Sequence, residues 1–306
     1  MTPVWMFPGQ SSFRADLVRD AIALSPRRLA PVVEQAEATL GRSLRAFSRS
    51  NRDVQVGVFL ANHLHALALE AAGVRATRSL GLSLGEYNHL VHIGAIDFFD
   101  ALRIIDARGA AYELGPEGCM AAVFPLPLDE LNPLLAGTSA AVANFNSPTQ
   151  HVIAGTRADV ALVCQRVEEE TFAEHRLIEP NIAMHHPLFA PVAQRFGAVL
   201  AAASWMTPKG PYISNVLGGE APSPTPSRIV ELLTRHVAAP VLWRACLEHV
   251  VAAVPDAAPV EVGPGTVLSG LLRRGWIGRS GLHTDGPAAL NATITALSSE
   301  GLHGHA

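Results

Sequence analysis

The feature that most constrains this sequence is a serine between two glycines, Gly81-Leu82-Ser83-Leu84-Gly85. The preceding residues 78–82 predict a short strand, and apolar residues recur with helical spacing from Leu84 onwards. A strand that turns directly into a helix leaves little room for side chains, which is why glycines flank such a turn. The turn exposes the serine hydroxyl beside the N–H groups of a helix start, where negative charge is favoured. The pattern predicts a nucleophile elbow or, equally, a glycine turn with a capping serine.

The rest of the chain predicts an α/β fold around this turn. Apolar runs at 4–7 and 259–262 predict buried strands that end at Pro-Gly and Gly-Pro-Gly, and helical spacing at 54–72 ends at Gly73. Between about 118 and 187 the elements become shorter, which predicts a small α+β unit inserted in a larger one. The large unit is then 1–117 and 188–306, and the inserted unit is 118–187. Further predicted elements are strands at 120–124, 140–144 and 151–154, helices at 158–170 and 188–202, a loop at 218–226 and a frayed end at 301–306.

Composition excludes several classes of function. The net charge is -4, so the clustered cations that a nucleic-acid partner requires are missing. No apolar stretch is long enough to cross a bilayer, and the N-terminus lacks the pattern of a signal peptide, so we expect a cytoplasmic protein with no membrane partner. The cysteines and histidines show no ligand spacing, so we expect no metal site.

The motif around Ser83 extends to Glu86-Tyr87 and is followed by Gly94-Ala-Ile-Asp-Phe98 and by Arg108-Gly109. In this order and spacing the chain resembles the malonyl-CoA:acyl-carrier-protein transacylase family and the acyltransferase domains of polyketide synthases. The resemblance implies an α/β-hydrolase-like large subdomain with an inserted ferredoxin-like small subdomain. Its other motifs are Phe7-Pro8-Gly9-Gln10, Asn144-Phe145-Asn146-Ser147-Pro148, Met184-His185-His186-Pro187-Leu188, Ser214-Asn215-Val216, Pro240-Val241-Leu242-Trp243 and Glu261-Val262-Gly263-Pro264-Gly265.

The resemblance assigns a catalytic pair. Ser83 matches the nucleophile, and a serine hydroxyl needs a base to attack a thioester. The family pattern of histidine, one further residue and Pro-Leu assigns that base to His185 rather than to its neighbour His186. In the family a backbone carbonyl orients the histidine, and the matching position is His236, where glutamine is usual. The oxyanion would be bound by the backbone N–H groups of Gln10 and Leu84.

Further matched positions would bind the substrate. Arg108 matches an arginine that holds the free carboxylate of a malonyl group, which a planar guanidinium does with two parallel hydrogen bonds. We expect Leu82, Met184 and Asn144 to line the acyl site. The family usually has histidine in place of Leu82. Residues just before the catalytic histidine track the α-substituent of the acyl group, and Met184 there decides little.

These matches imply an acyl-carrier-protein S-malonyltransferase that carries a malonyl-type group from coenzyme A to the pantetheine thiol of an acyl carrier protein. The departures from the family pattern suggest a free-standing enzyme of a polyketide pathway. The family also implies malonyl-CoA as a substrate, no bound cofactor and a monomer. Three alternatives stay open: an acyl hydrolase that clears carrier proteins, a non-catalytic docking subunit that binds carrier proteins, and a generic esterase. Arg108 argues against the hydrolase, and the joint presence of Ser83, His185 and Arg108 argues against the docking subunit.

Overall fold

The protein is known from a computed structural model, which describes residues 1–273 and 275–299. The predicted frayed end at 301–306 lies outside the described residues. The strands are β1 (Thr2–Phe7), β2 (Arg78–Gly81), β3 (Cys119–Phe124), β4 (Ala141–Ser147), β5 (Gln150–Gly155), β6 (Glu174–Glu179), β7 (Ile213–Ser214), β8 (Gly219–Glu220), β9 (Ala257–Glu261) and β10 (Leu282–His283). The helices are α1 (Leu17–Leu24), α2 (Pro26–Leu40), α3 (Asn51–Ala71), α4 (Gly85–His92), α5 (Phe98–Glu113), α6 (Leu128–Leu135), α7 (Arg157–Glu170), α8 (Ala190–Ala201), α9 (Pro226–His236), α10 (Trp243–Ala253), α11 (Val267–Leu272) and α12 (Pro287–Ser299).

A parallel sheet with strand order β10-β9-β1-β2 forms the centre of the large unit. Its central strand β1 is buried from Val4 to Phe7, because helices cover both faces of a parallel sheet. Phe7 pairs with Gly81 at the carboxyl ends of β1 and β2. The loops that follow these two strands therefore leave the sheet at the same edge, where ligands of open α/β sheets bind. One of these loops carries Gln10 and the other carries Ser83.

A second, antiparallel sheet has the strand order β4-β5-β3-β6. Its elements follow each other as strand, helix, strand, strand, helix, strand, which is the ferredoxin-like arrangement. Side chains of β3 and α7 form a separate core beneath it, including Val123, Val163 and Val167. The α/β fold class with a small antiparallel unit is thus confirmed. The elements of the small unit lie within the predicted range 118–187, and the subdomain boundaries themselves stay a prediction.

Most predicted elements are present with shifted ends. The prediction of a loop over 218–226 is wrong in part, because Gly219 and Glu220 pair with β7 and α9 begins at Pro226. The hydroxyl of Thr225 caps α9 by accepting the N–H of Arg228 at 3.2 Å, and proline suits the first helical position. The helix predicted at 188–202 begins as a 3₁₀ turn at Pro187–Phe189 and continues as α8.

The described helices also bear on membrane insertion. Within residues 1–273 and 275–299, no helix is long and apolar enough to cross a membrane.

Candidate active site

The turn between β2 and α4 has the geometry of an elbow. Ser83 adopts a φ of 51°, a left-handed conformation that is strained for a residue with a side chain. A Cβ on Gly81 would lie 2.0 Å from the backbone carbonyl of Gly85, and one on Gly85 would lie 2.1 Å from the carbonyl oxygen of Phe7. The two glycines are therefore required by close backbone contacts, and the serine is held at the tip of the turn.

His185 lies directly against this serine. The Oγ of Ser83 is 2.7 Å from Nε2 of His185, and Nδ1 of His185 is 2.7 Å from the carbonyl oxygen of His236. Because a carbonyl only accepts, Nδ1 carries the proton, and Nε2 is left to accept the proton of the serine hydroxyl. Burial, and then the charge of Arg108, lowers the pKa of His185 to about 3. The imidazole is therefore neutral near pH 7 and has the form of a general base.

The neighbouring histidine is used differently. His186 accepts the backbone N–H of Leu188 at Nδ1 and lies 2.8 Å from the carbonyl oxygen of Ser139 through Nε2. It thus caps the 3₁₀ turn that precedes α8. His185, by contrast, has a φ of 58° and donates its own N–H to the carbonyl of Val237. Only His185 of the two contacts Ser83.

Two backbone N–H groups flank the serine. Leu84 precedes the first residue of α4, and Gln10 begins the 3₁₀ turn after β1. Within the described part of the chain, neither N–H has an acceptor. The side chain of Gln10 donates to a carboxylate oxygen of Glu179 at 3.2 Å, so the predicted role of Gln10 concerns its backbone only. Two unpaired donors beside a serine are the arrangement that binds a developing oxyanion.

Arg108 is a fully buried cation on α5. Its guanidinium donates to Oε1 of Gln55 at 2.7 Å and lies over the rings of Tyr87 and Tyr112, at 5.6 and 4.3 Å from their centroids. No carboxylate of the described residues lies within 4.0 Å of it, and its Nε has no hydrogen-bond partner. A buried charge is normally paired, because removal from water is costly. The arrangement is therefore open to an anion.

The other predicted substrate contacts are buried and distributed around the site. Leu82 precedes the nucleophile and packs with the side chains on one face of the parallel sheet. Met184 precedes His185 in the main core. Asn144 lies where β4 meets the segment before α10, pairs there with Val241, and its Oδ1 has no hydrogen-bond partner. The roles of these residues in binding an acyl group stay predictions.

Sequence reasoning missed a polar layer behind the elbow. Asn215 accepts the N–H of Ser83 with Oδ1 and donates from Nδ2 to the carbonyl of Gly81, both at 2.8 Å. Glu86, fully buried on α4, accepts the hydroxyl of Tyr212 at 2.6 Å. Burial raises the pKa of Glu86 to about 8, against the lowering effect of that hydrogen bond. Asn215 and Glu86 lie in motifs that the sequence displays, but nothing local gave them a role.

The described residues also bear on metal binding. Among residues 1–273 and 275–299, no group of three or more His, Cys, Asp or Glu side chains is arranged to hold a metal ion. The polar groups around Ser83 are an imidazole, a guanidinium and backbone amides. They can activate a hydroxyl, stabilise an oxyanion and bind an anion.

Comparison with known proteins gives consistent matches over most of the chain. Residues 9–284 match the acyl transferase domain family. A malonyl CoA-acyl carrier protein transacylase from Synechocystis is 30% identical in an alignment of 288 residues that covers 90% of this chain and 94% of that protein. An acyl-carrier-protein S-malonyltransferase from Burkholderia pseudomallei superposes with a TM-score of 0.87 at 28% identity, over 96% of this chain and 100% of that one. A type II polyketide malonyl-transacylase in complex with its acyl carrier protein gives 0.88 at 25% identity, over 98% and 100%.

Proposed function

This chain belongs to the acyl transferase domain family, and we propose that it transfers a malonyl group from coenzyme A to the pantetheine thiol of an acyl carrier protein, through an ester on Ser83. The observation that carries the proposal is the contact of Ser83 Oγ with a neutral His185, 2.7 Å apart. The site also contains Arg108, a buried cation with no carboxylate partner among the described residues. The names of the Synechocystis and Burkholderia relatives support the substrate and the acceptor. The relative solved with its carrier protein supports that partner.

The first half-reaction loads the serine. Nε2 of His185 removes the hydroxyl proton while Oγ of Ser83 attacks the thioester carbonyl. The oxyanion that forms accepts hydrogen bonds from the backbone N–H groups of Gln10 and Leu84. When the intermediate collapses, the carbon–sulfur bond breaks, and the imidazolium returns its proton to the departing coenzyme A sulfur. The carbonyl of His236 accepts the hydrogen bond from Nδ1–H of His185 throughout both steps.

The second half-reaction uses the same groups in the reverse direction. The pantetheine thiol of the carrier protein gives its proton to His185, and its sulfur attacks the Ser83 ester. Collapse forms the new thioester and returns the proton to Oγ of Ser83. The kinetics are therefore ping-pong. These steps use only side chains and backbone groups of this chain, with malonyl-CoA and the carrier protein as substrates.

Arg108 explains selection of a carboxylated acyl group. The free carboxylate of malonyl would become the partner that the buried guanidinium lacks among the described residues. An acetyl group offers no such charge. The hydrolase alternative makes no use of this cation, and the docking alternative makes no use of the Ser83–His185 pair. A generic esterase has no need of a buried cation in its acyl site.

Intact-mass spectrometry of the purified protein after brief mixing with malonyl-CoA tests the proposal. We expect a malonyl-sized adduct in wild type and none in Ser83→Ala. Ser79→Ala is the matched control, because Ser79 is also buried and its hydroxyl lies 2.7 Å from a histidine, His89, that is not part of the site. The control should load like wild type, and an adduct that persists in Ser83→Ala would contradict the proposal.

A chase separates transfer from hydrolysis. Loaded protein is mixed with carrier protein that bears pantetheine, or with buffer alone. We expect the malonyl group to move to the carrier protein and to stay on the enzyme in buffer. Release of free malonate at the same rate in both samples would favour the hydrolase. Binding of the carrier protein without any loading of Ser83 would favour the docking subunit.

A further inference from the structure

The polar layer behind the elbow connects the nucleophile and the base. The side chain of Asn215 forms hydrogen bonds with the N–H of Ser83 and with the carbonyl of Gly81. The backbone N–H of Asn215 donates to Oε2 of Glu86 at 3.4 Å. The same Oε2 lies 3.3 Å from Nδ1 of His236. The carbonyl of His236 in turn accepts a hydrogen bond from Nδ1–H of His185. One buried carboxylate therefore touches the residue that holds the serine and the residue that orients the histidine.

The contacts around Glu86 indicate which protonation state of its carboxyl group this polar layer favours. The hydroxyl of Tyr212 donates at 2.6 Å, the short distance typical of a bond to an ionised carboxylate. His236 is buried, burial and then the charge of Arg108 lower its pKa, and its ring is therefore neutral. Its ring stacks on that of His185 with centroids 4.7 Å apart. A negative charge on Glu86 would thus lie behind the imidazole that becomes positive during the reaction.

We propose that Glu86 is a positioning residue of the acyl transfer, which fixes Asn215 and His236 together and, as a carboxylate, stabilises the imidazolium form of His185. This inference rests on the proposed function, since it concerns the same half-reaction. Glu86 touches neither Ser83 Oγ nor His185 directly in the described contacts, so it acts through its neighbours. The role differs from that of the acid in a serine–histidine–acid triad, because a backbone carbonyl and a second imidazole separate the carboxylate from the base.

A pH dependence follows from this role. Other titratable or charged groups of the described residues surround Glu86, and each of them can contribute to a pH dependence. They are Tyr87 on α4, Arg108 on α5, Tyr212 before β7, His236 on α9 and Cys246 on α10. Burial raises the pKa values of the two tyrosines and of Cys246, so these groups stay neutral.

The sign of the expected dependence is fixed by the carboxyl group. Burial raises the pKa of Glu86 to about 8, so the group gains its charge as the pH rises through that value. His185, with a pKa near 3, is a neutral base throughout this range. If the charge of Glu86 assists, the acylation rate should rise towards alkaline pH. Removal of the Tyr212 hydroxyl takes away a donor to the carboxylate, so the rise should move to higher pH.

The test measures the rate of Ser83 acylation by malonyl-CoA by rapid quench and intact-mass spectrometry. The pH is varied from about 6 to about 10, roughly two units on either side of the expected transition. The half-reaction contains no carrier thiol whose titration would interfere. We expect Glu86→Gln to lose the rise and to be slower than wild type by about 10- to 100-fold at the alkaline end, the range typical of outer-layer partners of a reacting group. The apparent affinity for malonyl-CoA should stay within about twofold, because Glu86 does not face the substrate. Tyr212→Phe should show the rise at higher pH.

Glu261→Gln is the matched control. Glu261 is another fully buried carboxylate with a raised pKa, of about 7, but it accepts the N–H groups of Leu268 and Ser269 at the end of β9. This variant should keep the wild-type profile. If Glu86→Gln does not fold, the shift in Tyr212→Phe carries the test.

Four outcomes would overturn the inference alone: a wild-type profile without a rise, an unchanged profile in Glu86→Gln, an unchanged profile in a folded Tyr212→Phe, or loss of the rise in Glu261→Gln. Wild type that forms no acyl-enzyme at any pH would overturn both the proposed function and this inference.

Discussion

Substitution of Arg108 by methionine separates the binding of the malonyl carboxylate from the acyl-transfer chemistry. Methionine keeps an unbranched side chain of similar length in the core but removes the charge and the donors. Arg108 has no carboxylate partner among the described residues. The interactions lost in the loaded state are therefore those with the substrate, the bond to Gln55 and the contacts with the rings of Tyr87 and Tyr112. We therefore expect Arg108→Met to act on malonyl-CoA far more than on acetyl-CoA.

The size of the effect follows from two charge-assisted hydrogen bonds. Each contributes about 1.5 to 3 kcal/mol, so the pair contributes about 3 to 6 kcal/mol. Since 1.36 kcal/mol corresponds to tenfold in rate, kcat/KM for malonyl loading should fall by roughly 10²- to 10⁴-fold. Acetyl loading uses neither bond and should change by less than about threefold.

The assay compares kcat/KM for acylation of Ser83 by the two thioesters in wild type and in Arg108→Met. Arg103→Met is the matched control, because Arg103 lies on the same helix, is exposed and, within the part of the chain that the structure describes, pairs only with Asp100, at 2.8 Å. It should leave both rates unchanged. Equal losses for malonyl-CoA and acetyl-CoA in Arg108→Met would refute the role of Arg108 in carboxylate binding.

The remaining predictions concern the elbow, the base and a buried acid. Gly85→Ala should lower the free energy of unfolding by more than about 2 kcal/mol, because the new Cβ would meet the Phe7 carbonyl. Gly270→Ala is the control: this glycine has open space around it, so alanine should raise the free energy of unfolding slightly. Urea titration measures both values, and equal values would contradict the close contact at Gly85. His185→Gln should lower the acylation rate at least about 10³-fold in the same mass assay, and a rate near wild type would exclude it as the base. Burial raises the pKa of Glu261 from 4.5 to about 7, so its contribution to stability is present below pH 4.5 and is lost as the pH rises to about 7. In Glu261→Gln the free energy of unfolding should therefore depend less on pH over this window. An unchanged slope would refute this role of Glu261.

The sequence predicts what depends on neighbouring residues. Gly81 is required because a Cβ there would clash with the backbone of Gly85 in the same turn, and such a local demand is visible in a sequence. Gly85 is required by the carbonyl of Phe7 on β1, which only the packed strands bring close. The assignment of His185 followed from the resemblance to the transacylase family, and the structure adds its contact with Ser83. The inserted α+β unit was predicted from the change in element length near 118, and the antiparallel sheet explains that change.

Contacts between distant segments were not predictable in this way. Asn215 holds a residue 132 positions earlier in the chain, and Tyr212 reaches Glu86 across 126 positions. No periodicity or spacing rule encodes such pairs, because they depend on how the segment around β7 packs against the elbow and α4. The pairing of Gly219 with β7 was missed for a related reason, since a strand of two residues has no period to detect.

A crystal structure of the malonyl-loaded protein tests the central claim most directly, because that claim places one acyl group between three sets of atoms. The account predicts an ester on Ser83 Oγ, with its carbonyl oxygen on the N–H groups of Gln10 and Leu84 and its free carboxylate on the guanidinium of Arg108. Malonyl attached to another residue, or a carboxylate that faces away from Arg108, would contradict it.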